Sequence, residues 1–262
     1  MTRPDVLILG GTAEARALAA ELERTGAPAI SSLAGRVADP VRPVGQVRIG
    51  GFGGVDGLAG YLRSTGVRAV VDATHPFAAR ISASAARACA AEGVPLLRLA
   101  RPGWSTHPLA DTWRWVGGFP AAVAAAEEAG NRVFLTSGRT TLSAFRSIRA
   151  AFVLVRVVEP VAGPLPAGWS VITSRGPYTV DGERTLLREH RIDVLVTKDS
   201  GGTMTEAKLT AADELGVRVV VVRRPDAPAG VPSVDGVGPA VQWAARCPAL
   251  SARAWPDRST AR

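Results

Sequence analysis

Along this chain, short apolar runs of strand length alternate with Ala-rich segments whose apolar residues recur every three or four positions. Runs at 6–10, 28–33, 46–50, 68–73 and 95–99 predict strands, and 13–25, 55–65 and 78–92 predict helices. A segment at 112–116 reads as a crossover strand. The alternation then restarts, with strands at 132–136, 152–157, 170–173, 193–197 and 217–222 and helices near 120–129, 140–149, 181–190 and 204–215. Two successive β/α series predict an α/β fold of two doubly wound, Rossmann-like domains with parallel sheets and an interdomain cleft. The expected boundaries are 1–115 and 116–250, followed by a polar, flexible tail at 251–262. The stretch from Pro160 to Pro166 reads as a loop inside the second domain.

Composition narrows the setting. No uncharged apolar run reaches membrane-helix length, and Arg3, Pro4 and Asp5 precede a strand rather than a signal-peptide core. Cys89 and Cys247 are too few for a disulfide framework or a four-ligand zinc site, so no metal is expected. The chain reads as soluble, cytoplasmic and monomeric. Its formal charge of +8 suits an anionic partner. Nucleic acid is disfavoured, because the arginines are dispersed and only 5% of residues are aromatic.

The chemistry concentrates at predicted strand ends. Val6–Leu9 runs into Gly10, Gly11, Thr12 and Ala13, a tight turn opening a helix whose N-terminus can receive a phosphate. After the second strand stand Ser31, Ser32, Leu33, Ala34, Gly35 and Arg36, with no carboxylate. Hydroxyls with an arginine suit a 2′-phosphate, so NADPH is favoured over NADH, with Ser32, Gly35 and Arg36 around that group. Given a 3-2-1-4-5 strand order, Thr74, His75 and Phe77 lie over the same crevice, and Pro76 holds His75 extended. His107 and His190 read as solvated.

The second half offers three polar loops after strands: Thr136-Ser137-Gly138-Arg139, Ser174-Arg175-Gly176-Pro177-Tyr178 and Thr197-Lys198-Asp199-Ser200-Gly201-Gly202. Together they form a basic, hydrogen-bonding wall suited to several carboxylates. Lys208, ten residues beyond Lys198, reads as a surface charge. A short-chain dehydrogenase is excluded, because neither Tyr61 nor Tyr178 has a lysine four residues on.

Gly10-Gly11-Thr12, Asp72-Ala73-Thr74-His75-Pro76-Phe77-Ala78 and the three later loops resemble the precorrin-6A reductase family of cobalamin biosynthesis, over about residues 6–225. The resemblance implies NADPH-dependent reduction of one C=C bond of a tetrapyrrole polycarboxylate, with hydride to ring carbon 19 and a proton to carbon 18. A relative acting on the cobalt-bearing macrocycle is the alternative, and a non-enzymatic NADP sensor is the rival outside catalysis. Neighbouring enzymes of the same pathway are conceivable partners. Under this reading Ser137, Gly138, Arg139, Ser174, Arg175, Gly176, Lys198, Ser200 and Gly201 face substrate, and His75, Tyr178, Lys198 or a bound water is the proton donor.

Overall fold

The computed structural model describes residues 4–35 and 41–247. The expected tail at 251–262 and the expected phosphate contact Arg36 lie outside the described residues. The chain divides into two units, one of Met1–Arg101 with Pro225–Arg262, the other of Pro102–Arg224.

In the first unit, strands β1 (Val6–Leu9), β2 (Ala29–Leu33), β3 (Gln46–Ile49), β4 (Ala69–Asp72) and β5 (Leu96–Leu99) alternate with helices α1 (Ala13–Arg24), α2 (Val55–Thr65) and α3 (Ala79–Glu92). They form a parallel sheet of order β3-β2-β1-β4-β5, as expected, with a sixth strand added beside β5. Every residue of β1 and β4 is buried, which is why Val6–Leu9 and 69–71 read as unbroken apolar runs, with Asp72 the buried charge that closes β4. Ala15, Leu18, Ala19 and Leu22 of α1 pack on one face, while Leu58, Leu62, Ala85 and Ala88 of α2 and α3 pack on the other.

The second unit repeats the plan. Its strands are β6 (Arg114–Val116), β7 (Arg132–Leu135), β8 (Phe152–Val157), β9 (Trp169–Thr173), β10 (Val194–Lys198) and β11 (Arg218–Val222), in the order β6-β11-β10-β7-β8-β9. Helices α4 (Phe119–Ala129), α5 (Val180–Glu189) and α6 (Ala207–Glu214) connect them. The helix expected at 140–149 is a 3-10 turn over Arg139–Phe145 instead. Thr141 donates its hydroxyl to the Gly138 carbonyl and to Ser137, a local bond that competes with α-helical pairing.

Both expected boundaries move. The segment at 114–116 is an edge strand of the second sheet, paired with β11, rather than the close of the first domain. Downstream, β12 (Ser233–Val234) pairs with β5, and α7 (Val237–Arg246) packs Ala240 and Ala244 into the core beside α1. The apolar face of α7 completes the first unit's core, so residues from Pro225 onward belong there and not to a 116–250 domain.

Candidate functional site

Backbone pairing builds the turn after β1. Gly10 donates to the Ser32 carbonyl (2.9 Å) and Ala73 donates to the Leu9 carbonyl (3.0 Å), so the ends of β1, β2 and β4 meet there. Gly11 takes a φ of 109°, a conformation that strains any side-chain-bearing residue. The Thr12 hydroxyl accepts from the Ala15 amide (3.1 Å) and donates to the Ala73 carbonyl (2.7 Å). It thereby caps α1 and ties it to the end of β4, so this hydroxyl is spent on structure. Glu14, in the first turn of α1, is paired with Arg101 at 2.8 Å, which offsets a negative charge near an anion-receiving helix end.

Beneath the next turn lies a buried polar network. Arg98 of β5 sits 2.7 Å from the Asp72 carboxylate and donates to the Thr74 hydroxyl (3.1 Å), the Thr74 carbonyl (3.1 Å) and the Ser82 hydroxyl (3.3 Å). Asp72 also accepts from the Thr74 amide and hydroxyl. The Asp72–Thr74 segment is therefore fixed from below. His75 follows, with Nδ1 accepting from the Phe77 amide at 3.2 Å. With Nδ1 as the acceptor, the donor edge of the ring is Nε2.

A cleft of about 340 Å³ opens above these turns. It brings together the expected residues Gly10, Gly11, Ser32, Thr74, His75 and Phe77. Gly35 and Ala13 do not line it, and neither does Thr12. Sequence reading missed its other wall, Gly50, Gly51 and Phe52, together with Arg80 and Ile81. The signal available was the glycine-rich run from Gly50 to Gly54 directly after the third strand. That wall is held by Arg48, which donates to the Ser32 hydroxyl (3.0 Å), the Gly50 carbonyl (2.7 Å) and the Gly51 carbonyl (3.0 Å). Behind it, Gly57 of α2 leaves room for the chain: a Cβ there would lie 1.7 Å from the Phe52 carbonyl oxygen. The cleft fits a dinucleotide, with a helix N-terminus beside a close-approach turn at the point where strand order reverses.

In the second unit, Lys198 ends β10 and Gly138 lies in the loop after the neighbouring β7, where a Cβ would stand 3.9 Å from Lys198 Nζ. Burial pulls the Lys198 amine down to about 8. Ser137 is wholly buried and accepts from Thr141. Arg139 donates to the Pro160 carbonyl (3.3 Å) and lines a cleft with Arg146 and Trp169. Ser174, Arg175 and Gly176 follow β9, two strands away from β7, and Arg175 is exposed. Gly201 and Ser200 follow β10, where Asp199 accepts from the Trp104 amide (2.8 Å) and Arg224 (3.1 Å) and so anchors the loop.

The Tyr178 hydroxyl donates to the Ser174 carbonyl (3.0 Å), and its ring lies 4.0 Å from the Arg156 guanidinium carbon. Arg156 is itself in a two-pronged, buried pair with Glu183 (2.6 and 2.5 Å). Lys208 is buried rather than a surface charge: it is 5% exposed, with Nζ 5.2 Å from the centre of the Trp104 ring. Burial pulls its amine down to about 7, helped by the positive charges of Arg156 and Lys198 and opposed by Glu183. Nor are the remaining histidines simply solvated. His107 Nε2 lies 3.1 Å from a Glu206 oxygen, and the His190 ring stacks on Phe152. Both cysteines are buried and unpaired, and burial pushes the Cys89 thiol up to about 12.

Among the described residues no helix is long and apolar enough to cross a membrane, and no cluster of His, Cys, Asp and Glu could hold a metal. Residues 5–245 match the family model described as precorrin-6x reductase CbiJ/CobK. The precorrin-6A reductase of Rhodococcus erythropolis is 50% identical over 244 residues, covering 93% of this chain and 97% of that protein. The cobalt-precorrin-6A reductase of Salmonella typhimurium is 32% identical over 244 residues, covering 86% and 89%. A solved structure titled CobK precorrin-6A reductase superposes with a TM-score of 0.84 at 44% identity, covering 94% of this chain and 96% of that one.

Proposed function

The chain belongs to the precorrin-6x reductase family, which makes it an oxidoreductase of cobalamin biosynthesis, and we propose that it reduces metal-free precorrin-6A with NADPH in the cytoplasm. The metal-free substrate is favoured by the relatives: 50% identity to a precorrin-6A reductase against 32% to a cobalt-precorrin-6A reductase. The observation that carries the cofactor reading is the cleft of the first unit, walled by Gly10, Gly11, Ser32, Thr74, His75 and Phe77. None of the residues from Ser31 to Arg36 is a carboxylate, where an NAD site would keep one for the ribose hydroxyls.

When bound, the nicotinamide cofactor supplies a hydride, here to ring carbon 19. The protein's own task is positioning. The amides at the start of α1 receive the phosphates. His75 presents its Nε2 edge on the nicotinamide side, oriented by the Phe77 amide on its other nitrogen. A proton must reach carbon 18 to complete the reduction. Of the side-chain candidates, His75 engages the Phe77 amide through Nδ1 and the Tyr178 hydroxyl is committed to Ser174. Lys198, with its amine brought to about 8, is matched to give a proton at neutral pH and takes this role. Arg175 and Ser200, on the polar loops after β9 and β10, meet substrate carboxylates. Arg139, which also donates to the Pro160 carbonyl, is a further cation for a substrate carboxylate.

The test is an anaerobic assay with NADPH and either metal-free or cobalt-bearing precorrin-6A, following NADPH absorbance and tetrapyrrole mass together. Oxidation of NADPH with a metal-free product two hydrogens heavier is expected. Turnover confined to the cobalt form would move the chain to the anaerobic branch. Binding of NADPH without turnover of either would favour a sensor.

A further inference from the structure

Arg48 is the third residue of β3, and its backbone registers against Ser32 of β2. Its guanidinium lies 3.9 Å from the centre of the Phe52 ring and 5.2 Å from that of Tyr61. Every hydrogen-bond acceptor it uses is neutral: the Ser32 hydroxyl and the carbonyls of Gly50 and Gly51. No carboxylate pairs with it among the described residues. A half-buried cation held by dipoles and ring faces keeps its full charge for something else.

What that something is follows from position. Ser32, Gly50, Gly51 and Phe52, all touched by Arg48, line the cleft of the first unit. The end of the second strand of such a sheet is where the adenosine ribose of a dinucleotide rests. Because Ser32 accepts from Arg48, its own hydroxyl proton points elsewhere and is available to an anion. The three bonds of Arg48 use Nη1 twice and Nη2 once, which leaves the Nε edge of the fork uncommitted among the described residues. That edge offers two parallel N–H groups, the arrangement that matches phosphate oxygens.

We propose that Arg48, with Ser32, is the residue that selects a 2′-phosphorylated nicotinamide cofactor over its unphosphorylated counterpart. The inference rests on the NADPH reading given above and names the side chain responsible for it. Arg48 is a strand residue and lies outside the loop after β2 where the sequence pattern directs attention.

The test is direct binding, free of turnover. NADPH, NADH, adenosine 2′,5′-bisphosphate and AMP are titrated calorimetrically into wild type, Arg48→Gln and Arg48→Lys. Wild type is expected to prefer the phosphorylated member of each pair. Arg48→Gln should weaken NADPH and the bisphosphate by about ten- to a hundredfold, the range for losing a charge-assisted pair, with NADH and AMP within about threefold. If Arg48→Gln does not fold, Arg48→Lys carries the test, because its single ammonium lacks the fork: NADPH should weaken by about three- to tenfold and NADH should not. Equal weakening of both cofactors would make Arg48 a mere brace for the Gly50–Phe52 wall and overturn the proposal. An unchanged ratio in a folded variant would overturn it too, leaving NADPH selectivity to another residue. A wild type without preference would refute the NADPH reading, and this assignment with it.

Discussion

The Arg98 guanidinium lies 2.7 Å from the Asp72 carboxylate, and both side chains are almost wholly buried, at 7% and 2% exposure. The pair reaches from β5 to the end of β4, and its remaining bonds hold Thr74. Removing one partner would strand the other charge in the core. Arg98→Ala or Asp72→Ala is therefore expected to destabilise the chain by about 3–5 kcal/mol in urea unfolding. NADPH binding should weaken as well, since Thr74 and His75 wall the cleft. A loss under about 1 kcal/mol would show that the pair is not structural.

Gly57 and Gly60 give a controlled comparison within one helix. A Cβ at Gly57 would meet the Phe52 carbonyl oxygen at 1.7 Å, whereas one at Gly60 finds nothing nearer than an Arg63 side-chain nitrogen at 3.9 Å. Gly57→Ala should cost about 1–3 kcal/mol through forced displacement and weaken NADPH by pushing the Phe52 wall. Gly60→Ala should be neutral or stabilising by up to about 1 kcal/mol, with cofactor affinity unchanged. Paired melting curves and NADPH titrations decide it, and equal behaviour of the two variants would contradict the packing argument.

Where side-chain pattern and backbone pairing agree, the fold was legible. Val6–Leu9 and Val194–Val196 are buried on both faces, so their apolar runs and the polar residues after them located the strand ends. The return of the chain to the first unit was not legible, because β12 has two residues and carries no period. Site residues placed by local turn chemistry, such as Gly11 and His75, were found. Those placed by partners far along the chain were not: Arg98 acts on Thr74 across 24 positions, and Arg48 reaches Ser32 from the next strand. Lys208 reads as a surface charge because what buries it, Trp104 and the Arg156–Glu183 pair, is distant in sequence.

Lys198 must carry its proton to serve as the donor, and burial brings its amine to about 8. Turnover at saturating NADPH and substrate should hold below that pH and fall above it, tenfold per unit at the limit. Lys198→Met should lower kcat by about a hundredfold or more and remove this limb. Tyr178→Phe loses only its bond to Ser174 and should keep kcat within a few-fold, at a cost of about 1 kcal/mol in stability. A Tyr178→Phe variant as impaired as Lys198→Met would reassign the donor.

Lys208 links stability to pH. In the unfolded chain its amine titrates near the ordinary 10.5, and in the folded chain near 7. Between those values the unfolded state binds more protons, so stability rises with pH over that window and the full penalty is present below it. Lys208→Met should remove that rise and stabilise the protein at pH 7 by a few kcal/mol, read from urea midpoints between pH 6 and 10. An unchanged slope would show that Lys208 keeps an ordinary affinity for its proton.

The central claim is that the hydride added to the precorrin ring comes from the nicotinamide while the accompanying proton comes from solvent through the protein. Turnover of metal-free precorrin-6A with NADPH deuterated at nicotinamide C4, on the face transferred, tests it in one mass spectrum. One deuterium per reduced ring is expected, with a second appearing only when the solvent is deuterium oxide. A reduced ring that carries none of the cofactor's deuterium from either labelled face would contradict the account.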